Sequence, residues 1–210
     1  MRIDSIVRER HLLTHPFYQR WQKGKVPIEV LREYAKQYYH YESALPSFIE
    51  SALKHVQDPE VSKALQGVLE DESSNPKPHA ELWLDFAKGL GLEEKEVRES
   101  QATPRTSNLV ETYRALSLRG GEEALAALYA YESQFPDVAL AKAEGLRKFY
   151  GVSDQTALEF FDLHSTLDVE HAKAIRSGVA DSEIAHEATH LALDVWWGML
   201  DQFETLSAAT

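Results

Sequence analysis

Residues 163–171 have the sequence Leu-His-Ser-Thr-Leu-Asp-Val-Glu-His and place His164, Asp168 and His171 at positions i, i+4 and i+7. An α-helix advances about 100° per residue, so these three side chains fall within about 60° of one another on one face. Two imidazoles and a carboxylate that converge from one stripe are able to hold a transition metal. The stretch therefore predicts a helix that carries metal ligands inside a helical bundle.

The periodicity of the remaining chain agrees with a helical bundle. Nearly every long segment repeats its apolar residues at helical spacing, and no segment shows a convincing strand alternation bounded by turn residues. Pro46 and Pro136 predict bends within helices, residues 75–78 predict a break, and residues 120–121 predict a turn. We find no internal repeat, low-complexity tract or linker. We therefore expect residues 1–210 to form a single all-α domain of about seven helices.

Composition narrows the class of protein. The chain has 210 residues, of which 43% are apolar, and it contains no cysteine. Its composition therefore excludes disulfides, thiolate metal ligands and a cysteine nucleophile. A net charge of -12 argues against binding of nucleic acid, which requires a basic surface. No apolar run approaches the roughly 20 residues of a membrane span. The charged N-terminal segment does not resemble a signal peptide, and we expect a cytoplasmic protein without membrane contacts.

Three further residues are candidates for the missing metal ligands. Glu72 ends one predicted helix and His79 begins the next, and the proline-containing break between them can aim both side chains at one site. Glu132 lies among apolar residues in the middle of a predicted helical segment. With the stripe of residues 164–171, they make three carboxylates and three imidazoles, enough for two metal sites with open positions for O₂ or substrate. Such nitrogen and oxygen ligands suit iron or manganese better than calcium.

The order of these six residues resembles the pattern of the heme-oxygenase-like di-metal oxidases. In this chain the pattern is Glu72, His79 seven residues later, Glu132 about sixty residues on, and then His-x-x-x-Asp-x-x-His over residues 164–171. The resemblance covers nearly the whole chain. It implies a heme-oxygenase-like bundle of about seven helices and two metal ions, as an iron pair or a manganese–iron pair. It also implies O₂ and an external electron donor as co-substrates, and a homodimer is a common assembly of this fold.

Within that group the chain is most similar to the CADD-type, or death-domain-associating, proteins that form p-aminobenzoate for folate synthesis. Tyr18 falls where the subfamily has the tyrosine whose ring becomes the product. Lys142 falls where the subfamily has the lysine implicated as amino-group donor, and Tyr34 and Tyr131 match aromatic positions near the same site. The resemblance implies self-sacrificing chemistry, in which Tyr18 is excised and aminated about once per chain.

Other interpretations of the same residues remain open at this point. Periodicity alone favours Tyr18 as a core aromatic and Lys142 as a surface lysine. The two-metal site can also act on an external fatty acid or amine, with Tyr18 only lining the pocket.

The His-Glu-x-x-His motif that begins at His186 and ends at His190 matches the zinc-protease signature, but few residues follow to supply a third ligand. A non-catalytic, partner-binding helical module is a fourth alternative. Thiaminase-type relatives need a cysteine, and cofactor-free quinone-forming relatives need no six-ligand set.

Overall fold

The computed structural model describes residues 2–74 and 76–208, and these residues form α-helices and one short 3-10 turn with no strand. Met1, Asn75, Ala209 and Thr210 lie outside the described residues, and with them the two ends of the predicted domain and the first residue of the predicted break. The helices are α1 (Arg2–Glu9), α2 (Pro16–Trp21), α3 (Ile28–Glu42), α4 (Leu45–Leu53), α5 (Pro59–Ser74), α6 (His79–Gly89), α7 (Glu94–Arg98), α8 (Pro104–Arg119), α9 (Gly121–Glu132), α10 (Phe135–Phe149), α11 (Gln155–Gly178) and α12 (Glu183–Ala208).

The all-α fold predicted from the sequence is confirmed, and prolines explain why the helices outnumber the expectation. The two predicted bends are complete breaks, between residues 42 and 45 and between residues 132 and 135. Pro46 and Pro136 lie in the first turn of the helix that follows each break. Proline is tolerated there because the N–H groups of the first turn make no hydrogen bond within the helix. The short helices α1, α2 and α7 account for much of the remaining difference between the observed helices and the seven or so expected.

Helix α11 lies inside the bundle, where it packs against α5, α6, α9 and α10. Its N-terminus is capped by Asp154, whose side chain accepts a hydrogen bond from the backbone N–H of Thr156. Arg176 in the last turn complements the negative end of the helix dipole. The predicted ligand stripe of α11 therefore faces several other helices rather than solvent. None of the helices in residues 2–74 and 76–208 is both long and apolar enough to cross a membrane.

Aromatic side chains fill the interior around α11. The ring of Tyr38 stacks on Trp83 with centroids 4.0 Å apart, and that of Tyr131 stacks on Trp196 at 4.7 Å. The indole N–H of Trp83 donates to the carbonyl of Ala35, so this buried ring leaves no polar atom unpaired. Such a core has little capacity to solvate charge, and any ionisable group inside it needs a specific partner.

Gly145 marks the closest approach of α10 to Trp21, and it provides a test of the packing. A Cβ atom at Gly145 would lie 2.6 Å from an indole carbon of Trp21, whereas a Cβ at Gly67 in α5 would meet nothing within 4 Å. We predict that Gly145→Ala lowers the free energy of unfolding by about 1–3 kcal/mol through overpacking. The matched variant Gly67→Ala should raise it by roughly 0.5–1 kcal/mol through helix propensity. Urea denaturation measures both, and equal stability of the two variants would refute the close approach.

Candidate metal centre

The inward face of α11 carries the three side chains that the sequence placed on one stripe. His164, Asp168 and His171 are 3%, 0% and 4% exposed. Charged and polar groups at this depth are costly unless other groups or ions compensate them. The neighbours of this stripe therefore decide what it can bind.

The break between α5 and α6 brings Glu72 and His79 to the same place. Glu72 lies near the end of α5 and His79 is the first residue of α6. The Nδ1 atom of His79 lies 2.9 Å from Oε2 of Glu72, and Nε2 of His164 lies 3.8 Å from Oε1 of the same carboxylate. Residues from three helices thus converge on one buried carboxylate.

The potential ligands form two groups that share Glu72. In each group, one ligand atom from every residue lies within 4.8 Å of the others. The first group contains Glu42, Glu72, His79 and His164, and the second contains Glu72, Asp168 and His171. Five of the six ligands predicted from the sequence belong to these groups.

Glu132, the sixth predicted ligand, belongs to neither group but lies beside them. It is the last residue of α9, it is buried, and it interacts electrostatically with Asp168, Glu72 and His171. Its carboxylate therefore flanks the second group of ligands.

Two histidines have their tautomers set by partners outside the cluster. The Nδ1–H of His164 donates to the carbonyl of Phe160 at 2.6 Å, which leaves Nε2 facing Glu72. The Nε2–H of His171 donates to Asp71 at 3.0 Å, which leaves Nδ1 facing Asp168 at 3.5 Å. Metal-binding histidines are usually oriented in this way by a hydrogen bond from the second ring nitrogen. Both imidazoles therefore present a lone pair to the interior of the cluster.

The electrostatics of the cluster favour a bound cation. Burial raises the pKa of Glu42, Glu132 and Asp168 well above the usual range, and the neighbouring carboxylates raise it further. Burial also acts to raise the pKa of Glu72, but the imidazoles of His164 and His79 beside it hold that pKa below the usual range. Neither oxygen of Asp168 has a hydrogen-bond partner among the described residues. Mixed imidazole and carboxylate ligands of this kind fit iron or manganese ions.

A second cluster surrounds Lys142 on α10. Its side chain is fully buried, and Nζ lies 5.5 Å from the ring centre of Tyr18 and 5.3 Å from that of Tyr34. The two tyrosine hydroxyls are hydrogen-bonded to each other at 2.9 Å. Nζ has no hydrogen-bond partner among the described residues, and burial holds the pKa of the Lys142 amine well below its usual range. The interpretation of Lys142 as a surface lysine is therefore wrong.

The lysine cluster adjoins the metal-binding cluster through one ring. The centre of Phe135 lies 4.8 Å from Nζ of Lys142 and 5.3 Å from the imidazole centre of His164. Tyr131 precedes Glu132 in the chain, and its hydroxyl contacts that of Tyr38 on the same side of the core. The four residues singled out by resemblance and the metal-binding cluster therefore belong to one region.

Sequence reasoning missed Glu42, although the sequence contains a signal for it. Residues 39–46 (YHYESALP) and 129–136 (YAYESQFP) share both tyrosines, the glutamate, the serine and the proline at matching positions. The statement that the chain has no internal repeat is wrong for this short stretch. A comparison of the two stretches would have placed Glu42 beside Glu132 as a candidate.

The zinc-protease alternative finds no support in the geometry. His186 is buried and its Nε2 lies 2.6 Å from Asp181, whereas His190 and Glu187 are exposed. None of these residues belongs to a group of three potential ligands in the described part of the chain. The motif therefore splits between the buried and the exposed face of α12.

Comparison with known proteins agrees with the geometry. Residues 32–204 match the model of a family described as iron-containing redox enzymes. The chain is 38% identical to the 4-aminobenzoate synthase of Nitrosomonas europaea, covering 95% of this chain and 88% of that protein. It is 33% identical to the 4-aminobenzoate synthase of Chlamydia muridarum, covering 96% and 88%. A protein of unknown function with a heme oxygenase-like fold from Shewanella denitrificans superposes with a TM-score of 0.78 at 16% identity, covering 97% and 89%.

The hydrogen bond from His171 to Asp71 leads to a prediction on metal affinity. Asp71→Asn replaces the carboxylate that orients the imidazole by a weaker, uncharged acceptor and removes no ligand of the cluster. We predict that the affinity of one Mn²⁺ ion falls about 10- to 100-fold, the usual effect of losing such a partner. Anaerobic titration of metal-free protein measures the affinity. Glu70→Gln removes an exposed carboxylate from the same helix and should leave the isotherm unchanged. Equal isotherms for Asp71→Asn and the original protein would contradict the role of Asp71.

Proposed function

This chain belongs to the family of heme-oxygenase-like iron-containing redox enzymes, and from that premise we propose that it forms p-aminobenzoate with its own Tyr18 as the source of the ring. The similar proteins named 4-aminobenzoate synthase support the product, because 4-aminobenzoate and p-aminobenzoate are the same compound. The observation that carries the use of Tyr18 is its complete burial against the Lys142 amine, beside the candidate metal centre.

The chemical relation between tyrosine and the product supports the proposal. Both contain a benzene ring with two substituents in para positions. In tyrosine these are a hydroxyl and Cβ, and in p-aminobenzoate they are an amine and a carboxylate. The conversion replaces the hydroxyl oxygen by nitrogen, oxidises Cβ to a carboxylate and breaks the bond from Cβ to Cα. Each oxidation removes electrons from the protein, so an oxidant is required.

The metal centre would meet that requirement. Glu72, His79, Glu132, His164, Asp168 and His171 would hold an iron pair or manganese–iron pair, which would supply reductive activation of O₂ with electrons from an external donor. The protein contributes position and environment. A tyrosine fixed beside the centre needs no diffusing substrate, and such fixed geometry replaces a large entropic part of the barrier. The surrounding rings exclude water that would compete for a reactive species.

Lys142 provides an amine next to the ring of Tyr18. Desolvation favours its neutral form, which is the nucleophilic form of a lysine. The hydroxyl of Tyr34 holds that of Tyr18 in place, so the ring carbon that exchanges oxygen for nitrogen has a fixed position. Transfer of Nζ would break the bond from Nζ to Cε of Lys142, release the phenol oxygen as water and leave Cε oxidised to an aldehyde, with O₂ as the electron acceptor.

Isotopic labelling tests the source of the ring. Protein produced with ring-labelled tyrosine, reconstituted with iron and given O₂ and a reductant, should release labelled p-aminobenzoate when no small-molecule substrate is added. We predict no more than one product molecule per chain, and replacement of the Tyr18 peptide by a lighter peptide that lacks the aromatic side chain. Product analysis and peptide mass spectrometry measure the two outcomes.

Variants of two tyrosines provide the control. Tyr18→Phe should abolish product formation, because the phenol oxygen directs the exchange. Tyr129→Phe should retain it, because the Tyr129 hydroxyl donates to Asp4 and not to the lysine cluster. Product that persists in Tyr18→Phe, or that is formed only after an external fatty acid or amine is added, would assign the centre to an external substrate.

The source of nitrogen is tested separately. Protein that carries nitrogen-15 at lysine Nζ should release p-aminobenzoate with the heavy nitrogen even when unlabelled ammonium is in excess. Lys142→Met should abolish product, whereas Lys148→Met on the exposed face of the same helix should not. Unlabelled product from labelled protein would show that another molecule donates the nitrogen.

A further inference from the structure

Glu42 is the buried carboxylate that the six-ligand pattern leaves without a role. It is the last residue of α3 and is 3% exposed. One of its ligand atoms lies within 4.8 Å of ligand atoms of Glu72, His79 and His164. Its Oε1 atom has no hydrogen-bond partner among the described residues. A carboxylate oxygen that is buried without a donor is costly, and the partner that its position suits is a cation.

The backbone delivers Glu42 to the cluster in the same way as Glu132. Each glutamate ends a helix, and the serine that follows it has nearly the same backbone angles, -68° and -20° at Ser43 and -67° and -16° at Ser133. In both cases the serine N–H donates to the carbonyl four residues earlier, at 2.9 Å and 3.0 Å. The two repeated stretches are therefore equivalent turns, and each aims a terminal glutamate at the interior.

The charge balance of the centre supports a ligand role for Glu42. Two divalent ions carry four positive charges, and Glu72, Glu132 and Asp168 supply only three negative ones. Glu42 brings the sum to zero, the state in which burial of the ions is least costly. The buried amine nearby, Lys142, does not pair with this carboxylate, because Nζ of Lys142 has no hydrogen-bond partner among the described residues.

We propose that Glu42 is a further protein ligand, bound to the metal ion that Glu72, His79 and His164 hold. The centre then has seven protein ligands rather than six, with four carboxylates for two ions. The inference rests on the two-metal centre of the proposed function but does not depend on what product that centre makes.

Cobalt(II) provides a probe that reports ligands without turnover. Metal-free protein is titrated with Co²⁺ under anaerobic conditions, and the visible absorption spectrum reports the coordination of each ion. Glu42→Gln keeps the size of the side chain and removes the charge. We expect it to lower the affinity of one Co²⁺ ion by more than about 100-fold, beyond the usual effect of losing an outer partner. It should also alter the same spectral component that His79→Ala alters.

Stability measurements separate a ligand from a structural residue. The melting temperature of metal-free Glu42→Gln should equal or exceed that of the original protein, because a repelled carboxylate is removed. The rise in melting temperature on adding Co²⁺ should shrink, because the ion binds the folded state less tightly. Glu33→Gln makes the same change on the same helix, where the carboxylate accepts a hydrogen bond from Gln37, and should leave the Co²⁺ spectrum unchanged.

The outcomes distinguish this inference from the proposed function. A Glu42→Gln protein that binds two Co²⁺ ions with an unchanged spectrum would overturn the ligand role, whatever its melting temperature. If the original protein binds two ions and Glu42→Gln behaves as expected, but labelled p-aminobenzoate is never released, the proposed product fails and the ligand role stands. An original protein that binds no pair of ions would overturn the centre and the ligand role together.

Discussion

The structure depends on the burial of like charges. Four carboxylates lie in an interior lined by aromatic rings, and two of them, Glu42 and Glu72, have ligand atoms within 4.8 Å of each other. At an effective dielectric constant near 20, two negative charges at that separation repel by about 3.5 kcal/mol. A domain is stable by only about 5–15 kcal/mol, so several such pairs would consume most of its stability. The interior therefore suits bound cations that offset this repulsion.

Helix ends supply most of the charge to this interior. Glu42 and Glu132 are the last residues of α3 and α9, Glu72 lies near the end of α5, and His79 begins α6. A chain break at each of these points lets a short side chain enter the core at an angle that a continuous helix would not permit. The prolines that follow the breaks therefore help to position the side chains of the site. Only the stripe of residues 164–171 comes from the middle of a helix, and that helix packs against α5, α6, α9 and α10.

The contrast between side chains at helix ends and the stripe in the middle of α11 explains which site residues the sequence could predict. A stripe at i, i+4 and i+7 follows from helix geometry alone, and proline positions mark the breaks, so the all-α fold and residues 164–171 were accessible. The roles of Asp71 and Glu42 depend on which helices meet, and no periodicity within one segment contains that information. Lys142 lies on an otherwise apolar face of α10, a local signal of burial, but its charge ordinarily places a lysine at the surface. Most of the rings around its amine come from other helices.

The equivalent turns at Ser43 and Ser133 also explain how one region holds both metal-ligating carboxylates and a buried amine. After the first turn, α4 carries Ala52 at the position where α10, after the second turn, carries Lys142, and both side chains are buried. Both turns therefore deliver a carboxylate, but only the second is followed by an amine. A second buried lysine at position 52 would place another amine beside a centre in which four carboxylates would already balance two ions. Keeping the first half apolar confines the amine to the side where Tyr18 and Tyr34 lie. The neutral amine and the metal ligands can then occupy neighbouring volumes without pairing, with Phe135 between them.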